Sequence, residues 1–207
     1  MHKVITICRE FGSGGREVGK RLAEILQVPY YDDEIVTELA KRTKLAESYV
    51  NQFSEKSIKT IQYYPITVGR TFHQQMNPKL MQNINLRVEQ EKLLKELGSQ
   101  SNCVIVGRAS NYILREFDPL RVFVYAEAEA KLKRCREKAP EQEQMSDKEL
   151  IKHMREIDKE RARYYESVVG RRWGDKADYD IMINTTYYPI KLVAQIIAQP
   201  ILFGESQ

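Results

Sequence analysis

The stretch "ICREFGSGGREVGKRLAEIL", residues 7–26, decides how the chain folds. A run of β-branched residues gives way to a cluster of glycines, and the glycines give way to a helical pattern. A strand, a glycine-rich loop and a helix in this order are typical of a loop that binds phosphate with N–H groups at a helix N-terminus. The usual form of that loop, G-x-x-x-x-G-K-[ST], is present here only in a damaged form. The segment therefore raises the question of which residue replaces the lysine.

The helix fixes the register of the loop. In phosphate-loop proteins the helix begins at the lysine and buries the residues three, seven and eleven positions later. Val18, Leu22 and Leu26 are apolar at these spacings and place the lysine position at Gly15. An ungapped comparison agrees, because the G-S-G of residues 12–14 falls on the G-x-G that precedes the lysine. The loop therefore keeps its glycines and loses its lysine.

The loss of the lysine leaves most of the physics of the loop in place. Glycine N–H groups at a helix N-terminus hold an anion through hydrogen bonds and the helix dipole. We predict that Arg16, in the first helical turn, supplies the missing charge with a forked donor that suits phosphate oxygens. A literal match to G-x-x-x-x-G-K that ends at Lys20 lies inside the helix and is rejected. The alternative interpretation is a glycine-rich turn that only joins strand to helix.

The length and composition of the chain limit the classes of protein that it fits. Its 207 residues suit one α/β domain, and 33 basic against 29 acidic residues give a net charge of +4, which disfavours a dedicated nucleic-acid binder. The three cysteines lack metal-ligand spacing and favour reduced thiols in a cytoplasmic protein. Lys191 and Pro200 interrupt the apolar C-terminal segment, so we expect no membrane span.

Apolar, β-branched runs alternate with helical patterns along the whole chain. We predict strands at residues 3–8, 28–32, 103–107, 120–126 and 179–184. Because these runs lack the apolar–polar alternation of a half-exposed sheet, they favour a parallel sheet covered on both faces. The predicted fold class is α/β, a three-layer phosphate-loop domain with a five-stranded parallel sheet.

The helical segments between the strands suggest two additions to this domain. We predict helical structure over residues 34–53, a charged helix over 86–98 that Gly98 closes, and a long helical stretch over about 127–169 that is interrupted at "KAPEQEQMS". Residues 53–85 read as irregular. We predict that residues of about 34–95 form a cap and that those of about 127–169 form a lid, both over the carboxyl edge of the sheet.

The segment "CVIVGRASNYILREFDPLRVFVYAEAEAKLKRCRE", residues 103–137, resembles the core of bacterial cytidylate kinases. In that family a strand ends in Gly-Arg-Asp, a proline-marked turn leads to the next strand, and an acidic, arginine-containing helix opens the lid. Together with "REFGSGGRE", "PYYDDE" and "WGD…YDIMINTT", the segment is similar to the cytidylate-kinase-like branch rather than to cytidylate kinase proper. The order of these short motifs carries the resemblance, which spans nearly the whole chain. It implies ATP and Mg²⁺ as cofactors and a small-molecule phosphate acceptor.

The resemblance also implies residues that bind the acceptor. Arg108 stands at the strand end, and Arg87 lies 21 residues earlier, at the spacing of another phosphate-binding arginine of the family. Asp158 and Arg161 match a D-x-x-R pair that contacts the nucleotide. From the residues alone, Arg87 fits a solvated helix face equally well. Asp158 with Arg161 also fits an ordinary surface pair at i,i+3.

Two departures from the family affect the acceptor site. Ala109 replaces the aspartate of Gly-Arg-Asp, and residues 32–38 lack the serine and arginine of the family's Asp-Ser-Gly-x-x-Tyr-Arg. Specificity for cytidine is therefore not carried over. Because Arg16 stands where the magnesium-binding Ser/Thr of the loop would be, we expect ATP oxygens, water and a carboxylate to hold the ion, and Asp32 at the end of the second strand is the candidate. Arg134 and Arg136 stand where lid arginines would reach the transferred phosphoryl group, or they lie on a solvated face.

The leading hypothesis is an ATP-dependent phosphotransferase, similar to a (d)CMP or nucleoside monophosphate kinase. Positioning and positive charge supply most of the catalysis of phosphoryl transfer, so arginines suit the task. The alternative is a nucleotide-binding or sensor protein that keeps the fold without turnover. We expect neither nucleic acid nor membrane as a partner. The predicted site residues are Arg16, Arg134 and Arg136 for catalysis; Gly12, Ser13, Gly14, Gly15 and Arg16 for ATP; Asp32, Arg87, Arg108, Asp158 and Arg161 for the acceptor; and Asp32 for Mg²⁺.

Overall fold

A parallel β-sheet lies at the centre of the protein in the computed structural model, which describes residues 4–55, 78–139 and 145–204. Within these ranges each predicted strand is confirmed, with its bounds shifted by up to two residues at either end. The strands are β1 (Val4–Arg9), β2 (Tyr30–Tyr31), β3 (Cys103–Val106), β4 (Leu120–Tyr125) and β5 (Ile181–Asn184).

The order of the strands brings the carboxyl ends of β1, β3 and β4 side by side. The sheet runs β2-β3-β1-β4-β5, and every neighbouring pair is parallel. The register pairs Ile7 with Val106 on one side of β1 and Arg9 with Val124 on the other. All six residues of β1 are buried, as expected for the central strand of a sheet that is covered on both faces. The glycine loop, which follows β1, therefore starts in the middle of the carboxyl edge.

Helices cover both faces of the sheet, which confirms the three-layer prediction. Residues of β1, β3 and β4 pack with α1 and α8 on one face, and other residues of β1 and β3 pack with α2, α3, α4 and α5 on the opposite face. The helices are α1 (Gly15–Leu26), α2 (Asp33–Thr43), α3 (Glu47–Glu55), α4 (Pro78–Gln100), α5 (Ser110–Ile113), α6 (Ala128–Lys138), α7 (Asp147–Val169) and α8 (Ile190–Gly204).

The buried stripe of α1 holds the helix against the sheet. Val18 and Leu22 are fully buried, and they pack in one cluster with Val193 and Ile197 of α8. Burial of such a side chain stabilises the fold by about 1.5–3 kcal/mol. Gly19 lies between Val106 and Ile7, and a Cβ there would come within 3.0 Å of Val106 Cγ2. The close approach fixes the N-terminus of α1 beside the sheet edge.

Residues 34–53, which were predicted to be helical, form two helices, α2 and α3, rather than one continuous helix. The first ends before Lys44, which adopts a left-handed conformation with φ of 57°. The second then turns back over the first, so that Val50 and Phe53 pack in the same apolar cluster as Leu39. The cost of the left-handed turn is offset by burial of these side chains.

Two predictions about α4 also differ from the structure. The helix begins at Pro78, within a stretch predicted as irregular, and it continues past Gly98 to Gln100. Gly98 therefore packs the helix rather than ending it, because a Cβ there would lie 3.3 Å from Leu114 Cδ2. The rest of the predicted irregular stretch, residues 56–77, lies outside the described residues.

The interruption of the long helical stretch is confirmed as the gap between α6 and α7. Ser146 begins α7 with a capping box, in which its side chain accepts from the N–H of Glu149 and the Glu149 carboxylate accepts from the N–H of Ser146. Gly170 ends the helix in a left-handed conformation. The assignment of these helices as a lid, and of residues 34–95 as a cap, stays a prediction.

The last helix shows how the C-terminal apolar segment is used. Val193 and Ile197 face α1, whereas Leu192 and Ile196 on the other side of α8 are exposed. Pro200 lies within the helix. No helix in the described parts of the chain combines the length and the apolar character that a membrane span requires.

Candidate functional site

The glycine loop connects β1 to the N-terminus of α1 in the predicted register. The helix begins at Gly15, where the spacing of its apolar residues predicted its start. Gly14 precedes it with φ of 83°, a conformation that favours glycine, and offers no side chain to cap the helix. Ser13 Oγ donates to the carbonyl of Glu10 at 2.8 Å and tightens the turn. These features suit an anion at the helix N-terminus, and binding there by residues 12–16 stays a prediction.

A pocket of about 440 Å³ lies over this loop. Its walls come from the loop, the first turn of α1, and helices α6 and α7. Two glutamates, Glu10 and Glu17, contribute the negative charge of the lining. The pocket suits an anionic ligand because more cations than carboxylates line it. The cationic residues of the lining are Arg9, Arg16, Arg134, Lys138 and Arg161.

Close packing explains why the loop carries glycines. A Cβ on Gly12 would lie 3.1 Å from Lys131 Cβ and 3.1 Å from Cys135 Sγ, both on α6. A Cβ on Gly14 would lie 2.5 Å from Ile190 Cδ1 at the start of α8. The loop is thus held between two helices that follow β4 and β5.

Asp32 is buried beside the loop and pairs with three arginines. We call Asp32, Arg9, Arg16 and Arg108 the inner cluster. The Asp32 residue is only 2% exposed. Its Oδ2 lies 2.5 Å from Arg16 Nε, and its Oδ1 lies 3.6 Å from Arg108 Nη1 and 3.9 Å from Arg9 Nη2. Tyr30 donates its hydroxyl to Oδ2 at 3.2 Å, and burial together with the Asp32 carboxylate raises the pKa of Tyr30. One carboxylate therefore lies within ion-pair distance of three guanidinium groups, and only Arg16 is close enough for a hydrogen bond.

The surroundings of Asp32 do not fit a magnesium ligand. Mg²⁺ prefers carboxylate oxygens in a site that keeps several waters. Asp32 is instead buried among three guanidinium groups, and their positive charge disfavours a metal cation there. No group of three or more His, Cys, Asp or Glu side chains in the described residues is arranged to hold a metal ion.

Arg108 enters the inner cluster from a strained turn. Gly107, Arg108 and Ala109 have φ of 78°, 57° and 51°, so two residues with side chains follow a glycine in the left-handed region. Such a conformation costs about 1–3 kcal/mol for a residue other than glycine. The turn directs the Arg108 side chain inward, where Nη1 donates to the carbonyl of Val106 at 3.3 Å. The strain is therefore associated with a buried, oriented cation.

A second, narrow pocket, with a volume of about 20 Å³, shares Arg9 with the loop pocket. Arg108 and Arg161 line it together with the aromatic residues Tyr164, Tyr165 and Trp173. Arg9 and Arg161 line both this pocket and the loop pocket. Arg161 also donates to the main-chain carbonyl of Arg9 at 3.3 Å. Two adjoining pockets thus share two arginines.

Lys131, Glu10 and Asp158 form a latch that ties the loop to helices α6 and α7. The Lys131 ammonium lies 3.1 Å from Glu10 Oε2 and 3.0 Å from Asp158 Oδ2. Asp158 Oδ1 accepts from the N–H of Phe11 at 2.6 Å. Burial alone would lower the pKa of Lys131, but the two carboxylates outweigh it and raise the pKa. Asp158 is thus occupied in holding the loop, and a nucleotide contact for it stays a prediction.

The two predicted lid arginines lie in different places. Arg134 lines the loop pocket and donates to the carbonyls of Gly12 at 3.5 Å and Ser13 at 3.4 Å. It also donates to the hydroxyl of Thr185 at 3.2 Å and to its carbonyl. Arg136 lines neither pocket and pairs with Asp147 at 2.9 Å. Only Arg134 of this pair is brought to the loop.

Arg87 and Arg16 complete the predicted set. Arg87 lines neither pocket and donates to the carbonyl of Ser167 at 2.7 Å. Arg16 lines the loop pocket, but its side chain is 54% exposed and pairs with both Asp32 and Asp33. Catalytic and substrate-binding roles for these arginines stay predictions.

Sequence reasoning missed three residues that the structure places at the site. Arg9 occupies the first position of the G-x-x-x-x-G-K pattern, six residues before Gly15, and this offset was readable from the sequence. Lys131 and Thr185 are distant from the loop in sequence, and only the fold brings them to it. Of these three residues, only Arg9 could have been recognised from the sequence.

A larger groove of about 600 Å³ lies elsewhere, between α2 and α4. Its lining includes Tyr31, Glu38 and Glu96 but neither the glycine loop nor any residue predicted for the site. Because phosphate chemistry depends on the loop and on buried arginines, the loop pocket rather than this groove is the candidate site.

Comparisons with known proteins give the family and the fold of the chain. The model of the cytidylate kinase-like family matches residues 4–187. An uncharacterized protein from Eubacterium ventriosum ATCC 27560 superposes with a TM-score of 0.69 at 24% identity, over 96% of this chain and 98% of that chain. No protein with a curated description matches.

Two solved shikimate kinases share the fold. The enzyme from Bacteroides thetaiotaomicron superposes with a TM-score of 0.57 at 16% identity, over 97% of this chain and 99% of that one. The enzyme from Acinetobacter baumannii, in complex with shikimate, superposes with a TM-score of 0.53 at 20% identity, over 100% of this chain and 97% of that one. The predicted phosphate-loop kinase-like fold is confirmed, and from the match over residues 4–187 the chain belongs to the cytidylate kinase-like family.

Proposed function

We propose that this protein is an ATP-dependent phosphotransferase whose acceptor is a small phosphorylated molecule, with a nucleoside monophosphate such as CMP or dCMP as the first candidate. The observation that carries the proposal is the pair of adjoining pockets that share Arg9 and Arg161. Phosphoryl transfer brings two anionic partners together, and positive charge between them offsets their repulsion. Membership of the cytidylate kinase-like family supports the same reaction class.

The loop pocket is assigned to ATP. The glycine loop and the first turn of α1 provide main-chain donors for a phosphate. Arg16 and Arg134 add positive charge from opposite walls of the pocket. An ATP-bound magnesium ion would add charge neutralisation, and no side chain described above is assigned to hold it. Binding therefore depends on the loop and on arginines.

The narrow pocket is assigned to the anionic end of the acceptor, and because its volume of about 20 Å³ holds only about one water, this assignment requires the pocket to widen when the acceptor binds. Arg108 is buried there and Arg161 is partly buried, and both lie beside Tyr164 and Tyr165. In the reaction, an oxygen of the acceptor phosphate forms a bond to the γ-phosphorus as the bond to the β–γ bridging oxygen breaks, and ADP leaves. Arg9 and Arg161 lie between the two pockets, where charge builds up during this exchange.

An acceptor panel tests the proposal. ADP release with ATP would be followed by a coupled assay in the presence of CMP, dCMP, UMP, AMP, GMP or shikimate. Shikimate is included because the structural neighbours above are shikimate kinases. We expect at least one nucleoside monophosphate to raise ADP release above the ATP-only rate, and shikimate to leave it unchanged. ATP binding without ADP release for any acceptor would support the sensor alternative, and release with shikimate alone would overturn the phosphorylated acceptor.

A pair of arginine variants on α7 controls for non-specific effects. Arg161→Met removes a guanidinium that both pockets share, so we expect it to abolish most of the acceptor-stimulated ADP release. Arg155→Met changes an exposed arginine of the same helix that lines neither pocket. Equal losses in the two variants would contradict the assigned pockets.

A further inference from the structure

The loop differs from the pattern G-x-x-x-x-G-K at two positions, not only at the position of the lysine. Against G-x-x-x-x-G-K, the segment R-E-F-G-S-G-G places Arg9 at the first position, where the pattern has glycine, and Gly15 at the seventh, where the pattern has lysine. The cationic residue of the loop thus lies at the end of the strand, whereas the pattern has it at the start of the helix. The question is whether the two changes are coupled.

The packing of Arg9 shows that they are coupled. A Cβ on Gly15 would overlap Arg9 Cβ and would lie 3.1 Å from Arg9 Cγ. At the far end of the side chain, a Cβ on Gly107 would overlap Arg9 Nη1 and would lie 3.2 Å from Cζ. The Arg9 side chain therefore runs from beneath Gly15 to Gly107, and both glycines make room for it. A lysine at position 15 is incompatible with this course of the Arg9 side chain.

The position of Arg9 also suits the work of the lost lysine. The side chain is 10% exposed and lines both the loop pocket and the narrow pocket. In the inner cluster one carboxylate, Asp32, faces three guanidinium groups, so the cluster keeps an excess of positive charge for an anion. Arg16, by contrast, is 54% exposed and is offset by two carboxylates.

We propose that Arg9 replaces the phosphate-loop lysine, and that it contacts the phosphate chain from the strand side, where the two pockets meet. Glycine at position 15 is then required by Arg9, because a side chain at position 15 would occupy the space of the Arg9 side chain. The proposal deepens the kinase assignment above and rests on it for the identity of the phosphates. The steric coupling of residues 9 and 15 does not depend on that assignment.

The first experiment measures how much the charge of Arg9 contributes to the binding of phosphates. Binding of ATP and of inorganic tripolyphosphate would be titrated calorimetrically against wild type, Arg9→Lys, Arg9→Met and the exposed control Arg155→Met. Loss of a charge-assisted contact weakens binding about tenfold to hundredfold, so we expect that range for Arg9→Met with both probes. We expect Arg9→Lys to recover part of the loss and Arg155→Met to bind as wild type does. A larger loss for Arg16→Ala than for Arg9→Met would overturn the proposal in favour of Arg16.

The second experiment tests the exchange itself. Arg9→Gly with Gly15→Lys restores G-x-x-x-x-G-K, and we expect this double variant to bind tripolyphosphate more tightly than either single variant. Gly15→Ala adds only a methyl group, and urea unfolding would compare its effect in the wild-type background with its effect in the Arg9→Gly background. We expect a clear loss of stability in the wild-type background and a smaller loss in the Arg9→Gly background, where Val124 Cβ would still lie 3.2 Å from the added methyl group. Equal losses in the two backgrounds would refute the coupling. Because unfolding needs no nucleotide, an inactive wild type would count against the kinase assignment alone.

Discussion

The inner cluster and the helix α6 carry the same kinds of charge in different surroundings. In the inner cluster, Arg108 and Asp32 have side chains that are 4% and 3% exposed, and one carboxylate faces three guanidinium groups. On α6, Arg136 has a side chain that is 33% exposed, and its partner Asp147 is 68% exposed. Water screens the second pair but not the first.

Because both pairs consist of an arginine and an aspartate, their surroundings rather than their residue types separate an arginine of the candidate site from a solvated one. From the sequence, Arg134 and Arg136 were equivalent candidates on one charged helix. In the fold, Arg134 reaches the carbonyls of the loop, whereas Arg136 faces the start of α7. A buried charge is retained only where partners satisfy it, so its partners indicate its role.

The largest effect is expected for Asp32→Asn, which keeps the shape of the side chain and removes its charge. Three guanidinium groups would then share no carboxylate at the centre of the cluster. Loss of one partner from a buried ion pair costs about 3–5 kcal/mol, so we expect the free energy of unfolding to fall by about that amount in urea titrations.

The neighbouring Asp33 provides the matched control. Its side chain is 72% exposed and pairs with the same Arg16 at 3.2 Å. We expect Asp33→Asn to change stability by less than about 0.5 kcal/mol, as is usual for exposed pairs. Similar losses in the two variants would show that burial does not set the strength of the cluster.

Lys131→Met should have the next largest effect, because it breaks the latch from the α6 side. The Lys131 side chain is 12% exposed, whereas those of Asp158 and Glu10 are 16% and 29% exposed, so water relieves part of the loss. We expect a destabilisation of about 2 kcal/mol at neutral pH. Lys133→Met, at an exposed position of the same helix, should be close to neutral.

The latch also predicts a pH dependence with a definite sign. The Glu10 and Asp158 carboxylates raise the pKa of Lys131 above its ordinary value of 10.5. A raised pKa stabilises the folded state fully below the ordinary value and loses that contribution as the pH rises through the folded-state pKa. The stability difference between wild type and Lys131→Met should therefore shrink above pH 10.5. A difference that stays constant through that range would contradict the latch.

The fold could be predicted from the sequence because its signals are local. Buried parallel strands are continuous apolar runs, and the spacing of Val18 and Leu22 fixed the start of α1 at Gly15. The failures also have local causes. A glycine near the end of a helix indicates either a cap or close packing, and Gly98 serves the second purpose. The turn at Lys44 left no sequence signal because the burial that stabilises it is tertiary.

The candidate site could be predicted only in outline. The glycine loop and Arg108 follow strands, and the carboxyl ends of parallel strands share one edge. The partners of each charge come from distant segments, as Glu10, Lys131 and Asp158 show. Such contacts are settled by the approach of α6 and α7 to the loop. Pattern and spacing carry no information about that approach.

Arg134→Met should lower the stability less than Lys131→Met does, and it tests one of the two arginines of α6 that were predicted for the site. It removes donors to the carbonyls of Gly12, Ser13 and Thr185, which hold the loop against the start of α8. Hydrogen bonds from a charged group contribute about 1.5–3 kcal/mol. We expect a stability loss near the lower end of that range, because the side chain is only part-buried, together with weaker ATP binding in titrations. Unchanged ATP binding would remove Arg134 from the site.

The smallest effect is expected for Arg136→Met, two residues further along the same helix. Its guanidinium pairs with Asp147 at 2.9 Å, and the Asp147 side chain is 68% exposed. An exposed pair of this kind contributes about 0.2–1 kcal/mol, and salt screens it. We expect a stability change within that range that becomes smaller in about 1 M NaCl, with ATP affinity and ADP release unchanged from wild type. If Arg136→Met instead lowered ADP release as much as Arg134→Met does, Arg136 would approach the phosphates through movement of α6, and exposure in this structure would not separate the two arginines.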